Sequence, residues 1–118
     1  MDSLEIRDLL RKRRQVHQEI LQQEVTRLKA VAATLGVQRM ILFGSVARGN
    51  PGLTSDLDLL VVWDTSLDYL ARTVELYRRL APQVAVDLLV YTPDEMKRMI
   101  HTPFVRKVLT EGSVLYEA

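Results

Sequence analysis

Two aspartates one residue apart, Asp56 and Asp58, open an apolar run that extends to Val62 and follow the pair Gly44-Ser45 by ten residues. Successive side chains of an extended strand point to opposite faces, so the two carboxylates share one face of a sheet. The Gly-Ser pair itself ends another apolar run, residues 40–43. The pattern predicts two strands joined near a small-residue turn, with paired carboxylates beside it. Such a pair indicates a site for a divalent cation and a nucleotide.

A third carboxylate, Asp87, interrupts the apolar segment 84–91. An unpaired carboxylate is costly to bury there. If its strand lies beside that of Asp56 and Asp58, the three carboxylates converge at one end of the sheet. Two unit charges about 4 Å apart repel by about 4 kcal/mol at an effective dielectric of about 20, so the cluster must hold protons or a cation. Carboxylate oxygens favour Mg²⁺ or Mn²⁺ over zinc.

The Gly44-Ser45 turn supplies features that suit a phosphate. A residue without a side chain lets a phosphate approach the backbone, and N–H groups at a turn entering a helix favour anions. Ser45 adds a hydroxyl donor and Arg48 lies about one helical turn further on, where it serves either as a phosphate contact or in a surface ion pair. A P-loop is excluded because Asn50 stands where its lysine is required. A phosphate cradle beside a carboxylate site favours two-metal nucleotidyl transfer.

Composition excludes several other classes of protein. With 118 residues and 47% hydrophobic residues, the chain is expected to form one globular domain, residues 1–118. Because it has no cysteine, thiolate zinc sites and cysteine nucleophiles are excluded. A net charge of +1 gives no electrostatic argument for direct binding to nucleic acid. The sequence shows neither a signal peptide nor a membrane-spanning run, so we expect a cytoplasmic protein that does not bind membranes.

The remaining pattern predicts alternating helices and strands around one small sheet. A helix is expected over residues 3–35, but five consecutive polar positions, 11–15, sweep its whole circumference. Its first turns, residues 1–15, should therefore project, fray or mediate association. The other expected elements are strands near 37–43, 56–62 and 84–91, a helix capped by Thr65 or Ser66, helices opened by Thr92-Pro93 and Thr102-Pro103, and a short strand or extended tail at 114–116.

Residues 44–49, 55–59 and 86–88 together resemble the minimal nucleotidyltransferase (MNT) family of the DNA polymerase β-like superfamily. The family pattern is Gly-Ser, ten residues, Asp-x-Asp and a later strand aspartate, and the similarity covers about residues 31–116. The resemblance implies an α+β fold of two layers, a small mixed sheet packed against helices, as in the polymerase β palm. Position 46, often basic in relatives, is valine here.

The resemblance also implies roles for individual residues. Asp56, Asp58 and Asp87 become the catalytic residues and metal ligands, with two Mg²⁺ ions expected and Mn²⁺ as an alternative. By the same reasoning, Asp87 helps to accept the proton of the acceptor hydroxyl. The nucleotide, ATP by family analogy, is then bound by Gly44, Ser45, Arg48 and Ser55.

MNT proteins commonly pair with an all-helical HEPN protein as toxin and antitoxin. The resemblance implies that this chain is the antitoxin, which transfers AMP from ATP to a tyrosine of a HEPN-type ribonuclease toxin within a homo- or hetero-oligomer. Two alternatives remain open: a catalytically silent antitoxin that blocks its partner sterically, and a nucleotidyltransferase acting on a small molecule such as an antibiotic. The chain has no length left for the helical acceptor domain of the antibiotic enzymes.

Overall fold

The structure is a computed structural model that describes residues 2–44 and 55–118. Its described helices are α1 (Ser3–Thr34), α2 (Tyr69–Leu80), α3 (Pro93–Met99) and α4 (Pro103–Glu111). Its described strands are β1 (Val37–Phe43), β2 (Leu57–Trp63), β3 (Val86–Tyr91) and β4 (Ser113–Glu117).

The strands form one mixed sheet in the order β3-β2-β1-β4. Strand β1 pairs antiparallel with β2 and with β4, whereas β2 and β3 run parallel. A parallel pair needs a crossover, and α2 supplies it. The expected α+β class and mixed sheet are confirmed, and the C-terminal segment is a paired strand.

Helices cover both faces of this sheet, so the expected arrangement of two layers is wrong. One core packs α1 and α2 against β2 through side chains such as Leu28, Leu76 and Leu59. The other packs α3 and α4 against the opposite face through Met96 and Val105. The sequence of β2 already indicated helices on both faces, because its apolar run is nearly continuous. A strand that is buried on both faces does not alternate apolar with polar residues.

Helix α1 is set by its ends and is only half covered. Asp2 and Glu5, which the sequence indicates as a capping pair, form a capping box, and Gly36, with φ +74°, follows the C-cap residue Leu35. Every residue from 2 to 20 is exposed, and burial begins at Leu21. The first five turns of α1 therefore extend away from the core.

Strand β2 begins one residue later than expected, at Leu57, and the start of helix α2 also differs from the expectation. Helix α2 is capped by Asp68, whose carboxylate accepts from the Ala71 N–H at 2.9 Å, and not by Thr65 or Ser66. The Thr65 hydroxyl instead accepts from the Leu67 N–H in a local turn, the alternative open to a short polar side chain. The capping box that opens α3 at Thr92 is as expected.

Strand β3 is shorter than the sequence indicates, since it begins at Val86 and not at residue 84. Two residues before the strand, Gln83 and Ala85, instead donate their backbone N–H groups to the carboxylates of Glu24 and Asp56. Within the described ranges, no helix combines the length and apolar character needed to cross a membrane.

Candidate active site

Asp58 and Asp87 stand side by side on neighbouring strands. They are partners in the parallel register of β2 and β3, so their side chains project from the same face of the sheet. Asp58 is half-buried and Asp87 is exposed. The structure thus brings together two of the three carboxylates that the sequence selects, one from each half of the chain.

Gly44 lies against the Asp58 carboxylate. Phe43, the last residue of β1, pairs with Asp58, and Gly44 turns away with φ +76°. A Cβ at this position would collide with Oδ2 of Asp58. Only glycine therefore lets the backbone pass this close to the carboxylate, and the positive φ independently favours it.

Ser55 bonds to the same aspartate. Its hydroxyl donates to Oδ1 of Asp58 at 2.7 Å. Sequence reasoning predicted a nucleotide contact for Ser55. In this structure its hydroxyl orients Asp58, with Gly44 against the other carboxylate oxygen.

Asp56 immediately precedes β2, and its carboxylate is held from two sides. Its Oδ2 accepts from the Ala85 N–H at 3.0 Å, and its Oδ1 lies 3.5 Å from Nε2 of His17 on α1. The Asp56 N–H in turn donates to the Ala85 carbonyl at 2.9 Å. Among residues 2–44 and 55–118, no group of three or more His, Asp or Glu side chains is arranged to hold a metal ion. The convergence of all three carboxylates stays a prediction.

Ser45 and Arg48, the other two predicted phosphate contacts, lie outside the described residues. The sequence also indicates a short helix starting at Val46 and a loop at 49–52, and these too lie outside the described residues.

The donor set at Asp58 and Asp87 suits Mg²⁺. This ion is usually held by one or two carboxylates together with substrate phosphates and water. Two adjacent carboxylates on one face of the sheet meet that requirement.

Glu24 is a residue of this region that sequence reasoning missed. It is 4% exposed, and its carboxylate accepts from Arg27 and from the Gln83 N–H just before β3. Arg27 also donates to the Ala81 carbonyl at 3.0 Å. Hydrogen bonding to Arg27 lowers the pKa of the Glu24 carboxyl, with smaller contributions from the Gln83 and Val84 N–H groups.

This pair, the Glu24–Arg27 clamp, ties α1 to the residues that lead into β3. Ala85, two residues after Gln83, donates its backbone N–H to the Asp56 carboxylate. The sequence carried a signal for the clamp, because Glu24 occupies a position on the apolar stripe of α1, between Leu21 and Leu28. A charge on a buried stripe must find partners.

A mixed sheet that presents paired aspartates beside a glycine turn defines the class of nucleotidyltransferase-fold proteins. The model of the family "Nucleotidyltransferase domain" matches residues 19–116. The chain belongs to this family, and the resemblance seen in the motifs is confirmed.

Individual proteins similar to this chain are also described as nucleotidyltransferases or adenylyltransferases. The chain is 37% identical over 82 residues to a Methanocaldococcus jannaschii protein named "Putative protein adenylyltransferase", covering 68% of this chain and 79% of that protein. The fold of this chain is similar to that of a "putative nucleotidyltransferase" from Sulfolobus solfataricus, with a TM-score of 0.59 at 22% identity. The match covers 88% of this chain and 86% of the Sulfolobus chain.

Two further structures come from toxin–antitoxin complexes. A toxin–antitoxin with AMP-PNP has a TM-score of 0.55 and 26% identity, and covers 80% of this chain and 73% of its own. The toxin–antitoxin MntA-HpeT, in mutant form, has a TM-score of 0.53 at 21% identity with the same coverage, and it shows the fold alone.

Proposed function

We propose that this chain is a Mg²⁺-dependent protein adenylyltransferase. It transfers AMP from ATP to a tyrosine hydroxyl of a HEPN-type ribonuclease toxin and thereby neutralises the toxin. The observation that carries the proposal is the placement of Asp58 and Asp87 in register, with Gly44 against Asp58. The M. jannaschii relative named as a protein adenylyltransferase and the AMP-PNP toxin–antitoxin complex support the same activity.

Asp58 and Asp87 would hold Mg²⁺, and Asp56 would join them once the triphosphate is in place. When bound, Mg²⁺ supplies positive charge that offsets the charge of the triphosphate and of the departing pyrophosphate. Gly44 admits the phosphates to the backbone, and Ser55 keeps Asp58 oriented by its 2.7 Å hydrogen bond.

Asp87 is suited to receive the acceptor proton, because it is the exposed member of the pair. The acceptor oxygen forms a bond to the α-phosphorus of ATP as the bond from that phosphorus to the bridging oxygen breaks. Pyrophosphate leaves with the electron pair, and the hydroxyl proton passes to the Asp87 carboxylate. The products are an AMP ester of the acceptor and pyrophosphate.

The test measures the intact mass of a HEPN-type ribonuclease toxin after incubation with the chain, ATP and Mg²⁺. The wild-type chain is expected to add one or more AMP groups, and Asp58→Asn to abolish the addition, because the variant loses half of the carboxylate pair. Asp64→Asn is the matched control, since Asp64 is an exposed aspartate just after the opposite end of β2. An unchanged toxin mass with wild-type chain would overturn the proposal.

A second candidate is a silent antitoxin that blocks its partner sterically. The observation that favours it is the engagement of the Asp56 carboxylate with Ala85 and His17. The same variant separates the two functions, because Asp58→Asn would still neutralise the toxin if blocking is steric. Inhibition of the toxin's ribonuclease activity is the measurement.

A further inference from the structure

The exposed half of α1, residues 3–20, is a surface that the proposed chemistry does not use. We call it the α1 arm. It carries five large apolar side chains that are 45–54% exposed: Ile6, Leu9, Leu10, Val16 and Ile20. The family match begins only at residue 19, after nearly all of the arm.

These side chains form one continuous stripe. At 3.6 residues per turn, positions 6, 9, 10, 13, 16 and 20 fall within an arc of about 120° and extend over about 21 Å of helix. Leu9, Val16 and Ile20 line a shallow groove with Lys12, Arg13 and His17. Contiguous exposed apolar surface is typical of an interaction site, whereas isolated apolar residues are ordinary. We call this stripe, with Arg13 at its centre, the docking face.

The docking face adjoins the candidate active site. His17 lies within the same arc and places Nε2 3.5 Å from Oδ1 of Asp56. A protein bound along the α1 arm is therefore held next to the carboxylates.

The charge pattern selects the occupant. Arg13 lies midway along the docking face, and among the described residues it forms no ion pair or hydrogen bond. Residues 6–20, all of them described, place no acidic side chain on this arc. Two copies paired about Arg13, parallel or antiparallel, would place two cations opposite each other, and like charges repel.

We infer that the docking face binds the acceptor protein through one of its helices, which carries an apolar stripe and a carboxylate that pairs with Arg13. This inference rests on the proposed function, since it identifies where the acceptor binds. An amphipathic helix lying along another uses the same spacing of three and four residues as this stripe.

The test uses the full chain and a HEPN-type ribonuclease toxin, with affinity and AMP transfer measured separately. Leu9→Glu/Val16→Glu is expected to weaken binding at least tenfold, and to raise the toxin concentration needed for half-maximal transfer while the maximal rate is kept. Gln15→Glu/Gln22→Glu is the matched control. It makes the same charge change at the same seven-residue spacing on the opposite side of α1, and it should bind like wild type.

Arg13 gives a second measurement that does not depend on packing. Arg13→Glu is expected to weaken binding at least tenfold and Arg13→Lys by less than threefold, because only the first reverses the charge. Affinities of Leu9→Glu/Val16→Glu and Arg13→Glu within twofold of wild type would overturn the inference. A wild-type chain that sediments as a dimer, and a Leu9→Glu/Val16→Glu chain that is a monomer, would also overturn it, in favour of a second copy.

Failure of the two proposals is distinguishable. If the toxin binds with the expected pattern of variants but gains no AMP, the adenylyltransferase proposal fails and the docking face stands. If AMP is transferred and the Leu9→Glu/Val16→Glu variant matches wild type in both measurements, the docking face fails and the enzyme stands.

Discussion

Gly44 shows how a missing side chain shapes the candidate site. Its φ of +76° and the collision that a Cβ would make with Asp58 are two separate demands for glycine. The first costs an L-residue about 1–2 kcal/mol, and the second displaces the carboxylate that is proposed to bind metal. A substitution here should therefore impair AMP transfer beyond its effect on stability.

Gly44→Ala is expected to lower AMP transfer at least tenfold and the free energy of unfolding by about 1–2 kcal/mol. Gly36→Ala is its matched control, because Gly36 has a φ of +74° and a Cβ added there would meet nothing within 4 Å. The control should lose similar stability and keep its activity. Equal activity losses in both variants would show that backbone strain, and not crowding of Asp58, is responsible. Transfer assays beside thermal melts make the comparison.

At the scale of elements, the Glu24–Arg27 clamp fixes where β3 begins. Glu24→Gln is expected to lower the free energy of unfolding by about 1–3 kcal/mol at pH 7, since it removes the charge of a buried acceptor that bonds to Arg27 and Gln83. Glu75→Gln is the control: Glu75 pairs with Arg78 and Arg79 on the more exposed side of α2, and its loss should matter less.

The clamp also gives a pH dependence of stability. Bonding to Arg27 lowers the pKa of Glu24 in the folded chain below its ordinary 4.5. The stabilisation is therefore complete above pH 4.5 and is lost as the pH falls through the lower, folded-state pKa. Denaturant titrations should show the gap between wild type and Glu24→Gln narrowing below pH 4.5. A gap that stays constant to pH 3 would contradict the assignment.

Some boundaries of the helices and strands are set by local sequence, and others by contacts between residues far apart in the chain. Local chemistry predicted the capping boxes at Asp2 and Thr92, and the family resemblance implied that Asp87 lies near Asp58. The start of β3 could not be predicted, because it depends on Glu24, a residue 59 positions away from Gln83. The cap of α2 was missed because Thr65, Ser66 and Asp68 offer competing oxygens, and only the turn at Thr65 decides between them.

At the scale of the whole molecule, the fold is more elongated than a compact domain of the same number of residues. Its radius of gyration is 16.2 Å, against about 13.5 Å for a compact domain of this length. The longest dimension is 57 Å, against 29 and 23 Å for the other two. The exposed α1 arm accounts for the elongation, because the buried part of α1 starts only at Leu21.

Because the α1 arm lies outside the core, we expect it to contribute to partner binding and little to the stability of the fold. Removing residues 2–14 deletes exposed side chains alone, so the free energy of unfolding should change by less than about 1 kcal/mol. Leu28→Ala, at a fully buried position of the same helix, should cost about 2–5 kcal/mol. The truncated chain should still bind Mg²⁺–ATP in calorimetry and lose affinity for the toxin at least tenfold. A truncated chain that melts as early as Leu28→Ala would mean that the α1 arm supports the fold, and an unchanged toxin affinity would mean that the partner binds elsewhere.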